Sequence, residues 1–152
     1  MEPADRIVVA QAAALAGLGW PGRPRWSLPP AVTAAAVALC LTGGALSALG
    51  AAAQGARLTP RVEPPADAPL LVTGAYGVSR HPIYAGLLLA AGGAALLRRR
   101  PEPLLAWACL ARVLDVKTRR EEVRLAARFG EAYDAYRRRT PRLWPLPGRA
   151  RG

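Results

Sequence analysis

The chain has 152 residues, room for one domain of ordinary size, and 52% of them are apolar against 6% aromatic. A net charge of +11 raises nucleic-acid binding first, but no zinc finger, helix-turn-helix or aromatic-basic RNA module accompanies the basic residues, so no nucleic-acid partner is expected. The mean hydropathy of +0.13 averages two solvents, an Ala/Leu/Gly-rich body and an arginine-dense tail, with 11 of the 21 Lys and Arg residues lying from Lys117 onward. Such a cluster beside apolar segments marks the cytoplasmic side of a membrane protein, where it also meets anionic lipid headgroups.

Residues 1–6 carry Glu2 and Asp5 and lack the positive n-region of a secretory signal, so the first apolar stretch is expected to stay as a helix. That stretch, Ile7 to Trp20, is apolar except for Gln11; its 14 residues reach ~21 Å, a short or partial span. Ala31 to Ala53 follows as 23 residues without a charge, the clearest transmembrane helix in the chain. Within it Gly43, Ser47 and Ala51 recur every four residues and form a stripe on which another helix can pack closely. Cys40 and Cys109 both fall inside apolar runs without CxxC spacing and read as packing residues.

Residues 57–82 form a polar connection with Pro60, Pro64, Pro65 and Pro69, too rich in proline for a regular helix. Ile83 to Leu97 is apolar again, with Gly86, Ala90 and Gly93 on one face. Arg98, Arg99, Arg100 and Pro101 make a turn, Leu104 to Val116 returns, and the helix is expected to run on through Lys117 to Phe129 and stop at Gly130. Arg112, Asp115 and Arg119 have the spacing of an ion-pair ladder on it. The expected fold is therefore an all-α, multi-spanning membrane protein of about four hydrophobic segments. Residues 1–152 form one domain, with N-terminal helices over 7–53 and a helical hairpin plus cytoplasmic extension over 70–146. With both termini cytoplasmic, fifteen basic residues fall inside and five outside, although Arg98, Arg99 and Arg100 at the outer tip run against the rule.

Chemistry concentrates where polar groups meet membrane helices. Residues 73–86 bring Tyr76, Arg80, the only histidine, His81, and Tyr84 to the start of an apolar helix, a costly place for them. Pro82 suits a first helical turn, and Gly86 lets a ligand or a helix approach the backbone. An interfacial belt, with Tyr84 and His81 resting at headgroup depth, would explain the same residues. Glu121 and Glu122 sit on the return helix at the matching level, so the hairpin should set them opposite His81 and Tyr84. Adjacent acids point about 100° apart, so at most one is expected to face fully into a pocket. Arg80 is the candidate catalytic residue: its fixed charge at the membrane edge can orient a carboxylate acceptor, whereas an amine acceptor would want a base such as His81 or a glutamate.

These residues resemble the isoprenylcysteine carboxyl methyltransferases and their relatives among the phospholipid N-methyltransferases. The family's RHPxYxG pattern is met by residues 80–86, and its acidic pair followed by FGxxYxxY by Glu121, Glu122, Phe129, Gly130, Tyr133 and Tyr136, with Pro141, Arg142 and Pro145 resembling the close. The likeness covers roughly residues 70–146. It implies an integral membrane enzyme of the inner or plasma membrane, with a cytoplasmic active site, that moves a methyl group from S-adenosylmethionine to a lipid-like acceptor. It further implies cofactor contacts at Tyr76, His81, Tyr84, Gly86, Glu121 and Glu122 and acceptor contacts at Tyr133, Tyr136 and Arg142. Carboxyl O-methylation is the expected reaction, with phospholipid-type N-methylation as the alternative; neither needs a metal. A sterol-reductase-like enzyme using NADPH and a non-enzymatic membrane subunit are the competing readings. GxSxG and P-loop motifs are both missing from the sequence.

Overall fold

The computed structural model describes residues 3–55 and 69–143. The proline-rich stretch to residue 68, Pro145, and the arginines beyond residue 143 lie outside the described residues, as do the expectations placed on them. Within the described residues the protein is all-helical: α1 (Pro3–Leu18), α2 (Pro30–Gln54), α3 (Ala75–Val78), α4 (Pro82–Leu97), α5 (Pro101–Phe129) and α6 (Glu131–Arg139). Three of the longer helices open on proline at the first turn, where its missing N–H costs nothing and its fixed φ suits the helix. The four apolar segments match α1, α2, α4 and the first half of α5. The return helix does continue without a break to Phe129, where Gly130 (φ 51°) turns the chain into α6. The single turn α3 and the helix α6 are additions to the sequence reading.

α4 is the centre of the fold. It is apolar all round, and Ala85, Gly86, Leu88, Ala91, Gly93 and Ala95 are buried, as expected of a helix covered on several sides. One side is covered by α2. A Cβ on Gly43 would run into the backbone of Ala90 and Gly86, one on Gly86 into Gly43 and Ser47, and one on Gly93 into Ala36 and Cys40. The two small-residue stripes therefore pack on each other, with Gly50 in place of Ala51 at the last step, against Pro82 and Ile83. Close approach lets Ser47 Oγ donate to the Ile83 carbonyl at 2.9 Å. The other side packs into a core of Ala14, Leu88, Ala91, Leu110 and Leu114, contributed by α1, α4 and α5. Trp107 Nε1 donates to the Leu88 carbonyl at 2.9 Å across the hairpin.

The contacts make α1, α2, α4 and α5 alternate in direction. Gly17 near the end of α1 meets Ala106 near the start of α5, while Gln11 reaches Lys117 further along it. One end of the bundle holds the arginine turn and the α1–α2 loop. There Arg98 and Arg100 donate to the Trp20 carbonyl at 2.6 and 3.1 Å, just past the C-terminus of α1, and Arg25 pairs with Glu102 at 2.6 Å. The opposite end gathers α3, the start of α4, the middle of α5 and α6. Among the described residues, α2 alone is long and apolar enough to cross a membrane by length and composition. Only Ala36, Gly43 and Gly50 of its residues are buried, and Leu41 and Leu49 are more than 60% exposed.

Candidate active site

The segment 79–81, extended at Ser79 and bent at Arg80 and His81, leads into α4 and is held by the tail. Arg80 N–H donates to the Pro141 carbonyl at 2.9 Å, and His81 N–H to the Arg142 carbonyl at 3.2 Å. Ser79 Oγ also donates to the Arg142 carbonyl, at 3.0 Å. Burial of these backbone groups demands partners, and the tail after α6 supplies them. Arg142 is fixed in turn by Asp115, which its guanidinium meets at 2.6 Å. Asp115 also takes Arg119 at 3.0 Å and Arg112 at 3.5 Å, so the expected ladder exists and has the tail as an added member.

Inside this clasp the sequence candidates converge. Arg80 Nε and Nη2 both donate to Glu122 Oε1, at 2.9 and 2.6 Å, and Nη1 donates to the carbonyls of Thr140 and Arg137 at 2.6 and 3.2 Å. Tyr84 Oη donates to Glu121 Oε1 at 2.8 Å. His81 lies between the two acids, Nδ1 3.3 Å from Glu121 Oε2 and Nε2 3.4 Å from Glu122 Oε1, with its ring stacked near Tyr84. The expectation that only one acid faces inward is corrected by this arrangement. Adjacent on α5, the two acids are both reached by His81, one through each ring nitrogen.

Tyr133 and Tyr136, one turn apart on α6, close the cluster from the tail side with their rings edge to face. Tyr136 Oη donates to the Tyr76 carbonyl, and Tyr76 Oη accepts from Gln54 Nε2 at the end of α2. Gly86 does not join them. Its open face is filled by Gly43 and Ser47 of α2, so of the two approaches its missing side chain allows, the structure uses the helix and leaves a cofactor no room there. Arg80 likewise has its donors engaged by Glu122 and two carbonyls, and is only 9% exposed.

The electrostatics follow from this crowding. Burial alone would raise the Glu122 carboxyl, but contacts from His81 and Arg80 outweigh it and bring its pKa down to about 2. Burial alone would lower His81, yet the flanking Glu121 and Glu122 hold it above its ordinary value. Tyr133 is pushed up to about 12 by burial and by the nearby Glu122 charge, and Tyr136 is raised by burial as well. At neutral pH the site therefore holds an ionised Glu122 and neutral tyrosines.

The sequence reading passed over Lys117, Gln11 and Gln54. Lys117 is 2% exposed, donates to Gln11 Oε1 at 3.2 Å and holds its ammonium 5.0 Å from the centre of the Tyr84 ring. A signal was present: Gln11 is the one polar residue of its run, and Gln54 ends the uncharged run of α2. A buried amide needs a partner, so each pointed to a polar neighbour across the bundle.

Two buried polar atoms in the cluster, His81 Nε2 and Tyr133 Oη, have no aligned hydrogen bond. Glu121 keeps lone pairs beyond its bond to Tyr84, and the stacked His81 and Tyr84 rings offer an aromatic surface. Such a set can take a ligand with hydroxyl or ammonium donors, an aromatic ring and positive charge, which fits S-adenosylmethionine in chemistry, with Gly86 left out. Set against family models, characterised proteins and solved structures, the chain matches none.

Proposed function

We propose that this chain is an S-adenosylmethionine-dependent methyltransferase of the bilayer, related to the isoprenylcysteine and phospholipid methyltransferases, that acts on a lipophilic acceptor. One observation carries the reading. The stretches that resemble the family, residues 80–84, 121–122 and 133–142, lie tens of residues apart yet meet in one cluster at one end of the bundle. A charged structural clasp needs Arg80 and Glu122 only; it gives no reason for a stacked His81–Tyr84 pair or for the second acid, Glu121, held against both rings.

In this reading α2 crosses the membrane, its exposed leucines facing lipid, and α1, α4 and the first half of α5 enter beside it. At 16 residues, α1 and α4 reach only ~24 Å, so the bilayer thins around them or their ends snorkel. Exposed Trp20 and Trp26 suit an interface at the arginine-turn end, and the basic second half of α5 favours a cytoplasmic position for the active site.

S-adenosylmethionine, when bound, supplies an electrophilic methyl group on a sulfonium. Glu121 and Tyr84 would hold its polar groups, and His81 would lend ring surface. Arg80 acts as a positioning residue that locks Glu122 and the tail together, and Tyr133 and Tyr136 keep water from the reacting centre. A carboxylate is the acceptor this site suits, because it attacks without first losing a proton. His81 between two carboxylates favours the charged form, and Glu122 is too weak a base to serve an amine.

The test is calorimetric titration of the detergent-solubilised protein with S-adenosylhomocysteine and with NADPH, followed by methyl transfer to lipophilic acids and amines. Binding of S-adenosylhomocysteine and turnover of acids are expected. Binding of NADPH alone would replace this reading with a reductase, and binding of neither would leave a structural subunit.

A further inference from the structure

On the flank of α5 turned away from the active site, a groove of about 350 Å³ runs between α1 and α5. Its floor is Ile7 and Ala10 of α1 with Val113 and Val116 of α5, and its rim is Arg6, Arg112 and Arg120. Three cations over an apolar floor are poorly explained by folding alone. Arg6 and Arg120 are exposed and make no ion pair among the described residues. Arg112 reaches Asp115 only at 3.5 Å, and that carboxylate is already met more closely by Arg142 and Arg119. Among the described residues, the long contact from Arg112 to Asp115 is thus the one ion pair made by this rim.

We propose that this groove binds an anionic phospholipid of the surrounding bilayer, its phosphate between Arg6 and Arg120 and the start of an acyl chain along Ile7, Ala10, Val113 and Val116. The site rests on the membrane reading of the fold but is independent of the methyl-transfer chemistry. Charge and shape agree on the occupant: a phosphate answers two or three guanidinium groups in their preferred geometry, and the floor requires an apolar continuation that free phosphate lacks. Depth agrees too. Arg120 is the immediate neighbour of Glu121 and so lies at the level of the active site, where the proposed orientation puts the cytoplasmic headgroups.

The bound lipid would tie α1 to α5 at the end of the bundle where Lys117 and Gln11 already join them. Both helices supply wall and rim, so occupancy favours their docked arrangement by mass action.

The experiment uses the full chain in nanodiscs and in detergent. Native mass spectrometry after exchange should show phosphatidylglycerol retained at least tenfold over phosphatidylcholine, with inorganic phosphate alone not retained. Arg6→Gln with Arg120→Gln should reduce that preference about tenfold, and Ala10→Trp, which fills the floor and leaves all charges in place, should reduce it as well. Equal retention of the two lipids, or a preference unmoved by both variants, overturns the groove. Retention of inorganic phosphate as strong as that of the lipid marks an anion site without a lipid role and overturns it too. Failure of the protein to enter nanodiscs at all would instead remove the membrane reading on which the groove depends.

Discussion

Replacing Glu122 by Gln tests the clasp at its most charged point. Arg80 and Glu122 are 9% and 17% exposed, and two guanidinium N–H groups share one carboxylate oxygen. Lowering a carboxyl from its ordinary 4.5 to about 2 corresponds to about 3 kcal/mol of folded-state stabilisation. Breaking a buried pair from one side costs a similar 3 to 5 kcal/mol, because the remaining charge is stranded. The variant should therefore release the tail, whose carbonyls at Thr140 and Arg137 are held by the same guanidinium. Trypsin nicking between Arg137 and Arg142 reads the open population, and about 3 kcal/mol predicts an acceleration of roughly a hundredfold. The pH profile has a sign on each side. The Glu122 contribution is complete above its ordinary 4.5 and is lost as pH falls toward 2. The His81 contribution is complete below its ordinary 6.5 and is lost as pH rises through its elevated folded value. The tail should thus resist trypsin best between about 4.5 and 6.5. Nicking rates that match wild type in both Glu122→Gln and Arg80→Gln would refute the clasp.

Two further outcomes follow from separate parts of the structure. Gly86→Leu should disrupt the α2–α4 seam, because its side chain would have to displace Gly43 and Ser47 backbone; an overpacking cost of at least about 3 kcal/mol is expected, read as a lower thermal midpoint in detergent. Tyr84→Phe keeps the ring beneath Lys117 and beside His81 but removes the donor to Glu121, so affinity for S-adenosylhomocysteine should change by about tenfold while the melting profile moves little, as calorimetry and thermal denaturation on the same sample would show.

Much of the helical plan was legible because its signals are local. Pro82 opens a helix, Gly130 ends one, and an uncharged run from 31 to 53 leaves little alternative to α2, whereas Pro101, read as part of the turn, is the first residue of α5. The small-residue stripes on α2 and α4 were legible singly, but that each is the other's partner depends on the direction of both chains in space. The same gap explains Gly86. Its sequence allows ligand or helix, and only the approach of Gly43 chooses. Facing of His81 and Tyr84 toward Glu121 and Glu122 followed from the hairpin register. The engagement of Arg80 did not, because it requires the position of the tail carbonyls at Thr140 and Arg137, which no periodicity encodes.

The site is thus assembled from two parts held by different physics. Its α4 side rests on the glycine seam and the apolar core, where contacts are packing and burial, indifferent to pH and little affected by salt. Its tail side, with Tyr133, Tyr136 and Arg142, is attached through Arg80–Glu122, Arg142–Asp115 and hydrogen bonds to residues 79–81. Charged contacts of this kind titrate, and the more exposed of them are screened. Acid should accordingly separate the two parts before either helix seam is lost, and His81, which touches both acids and is packed at the start of α4, is the group on which the two parts meet. A substitution at His81 then disturbs seam and clasp together, whereas one at Glu122 disturbs the clasp alone, and that difference is what the trypsin and melting measurements distinguish.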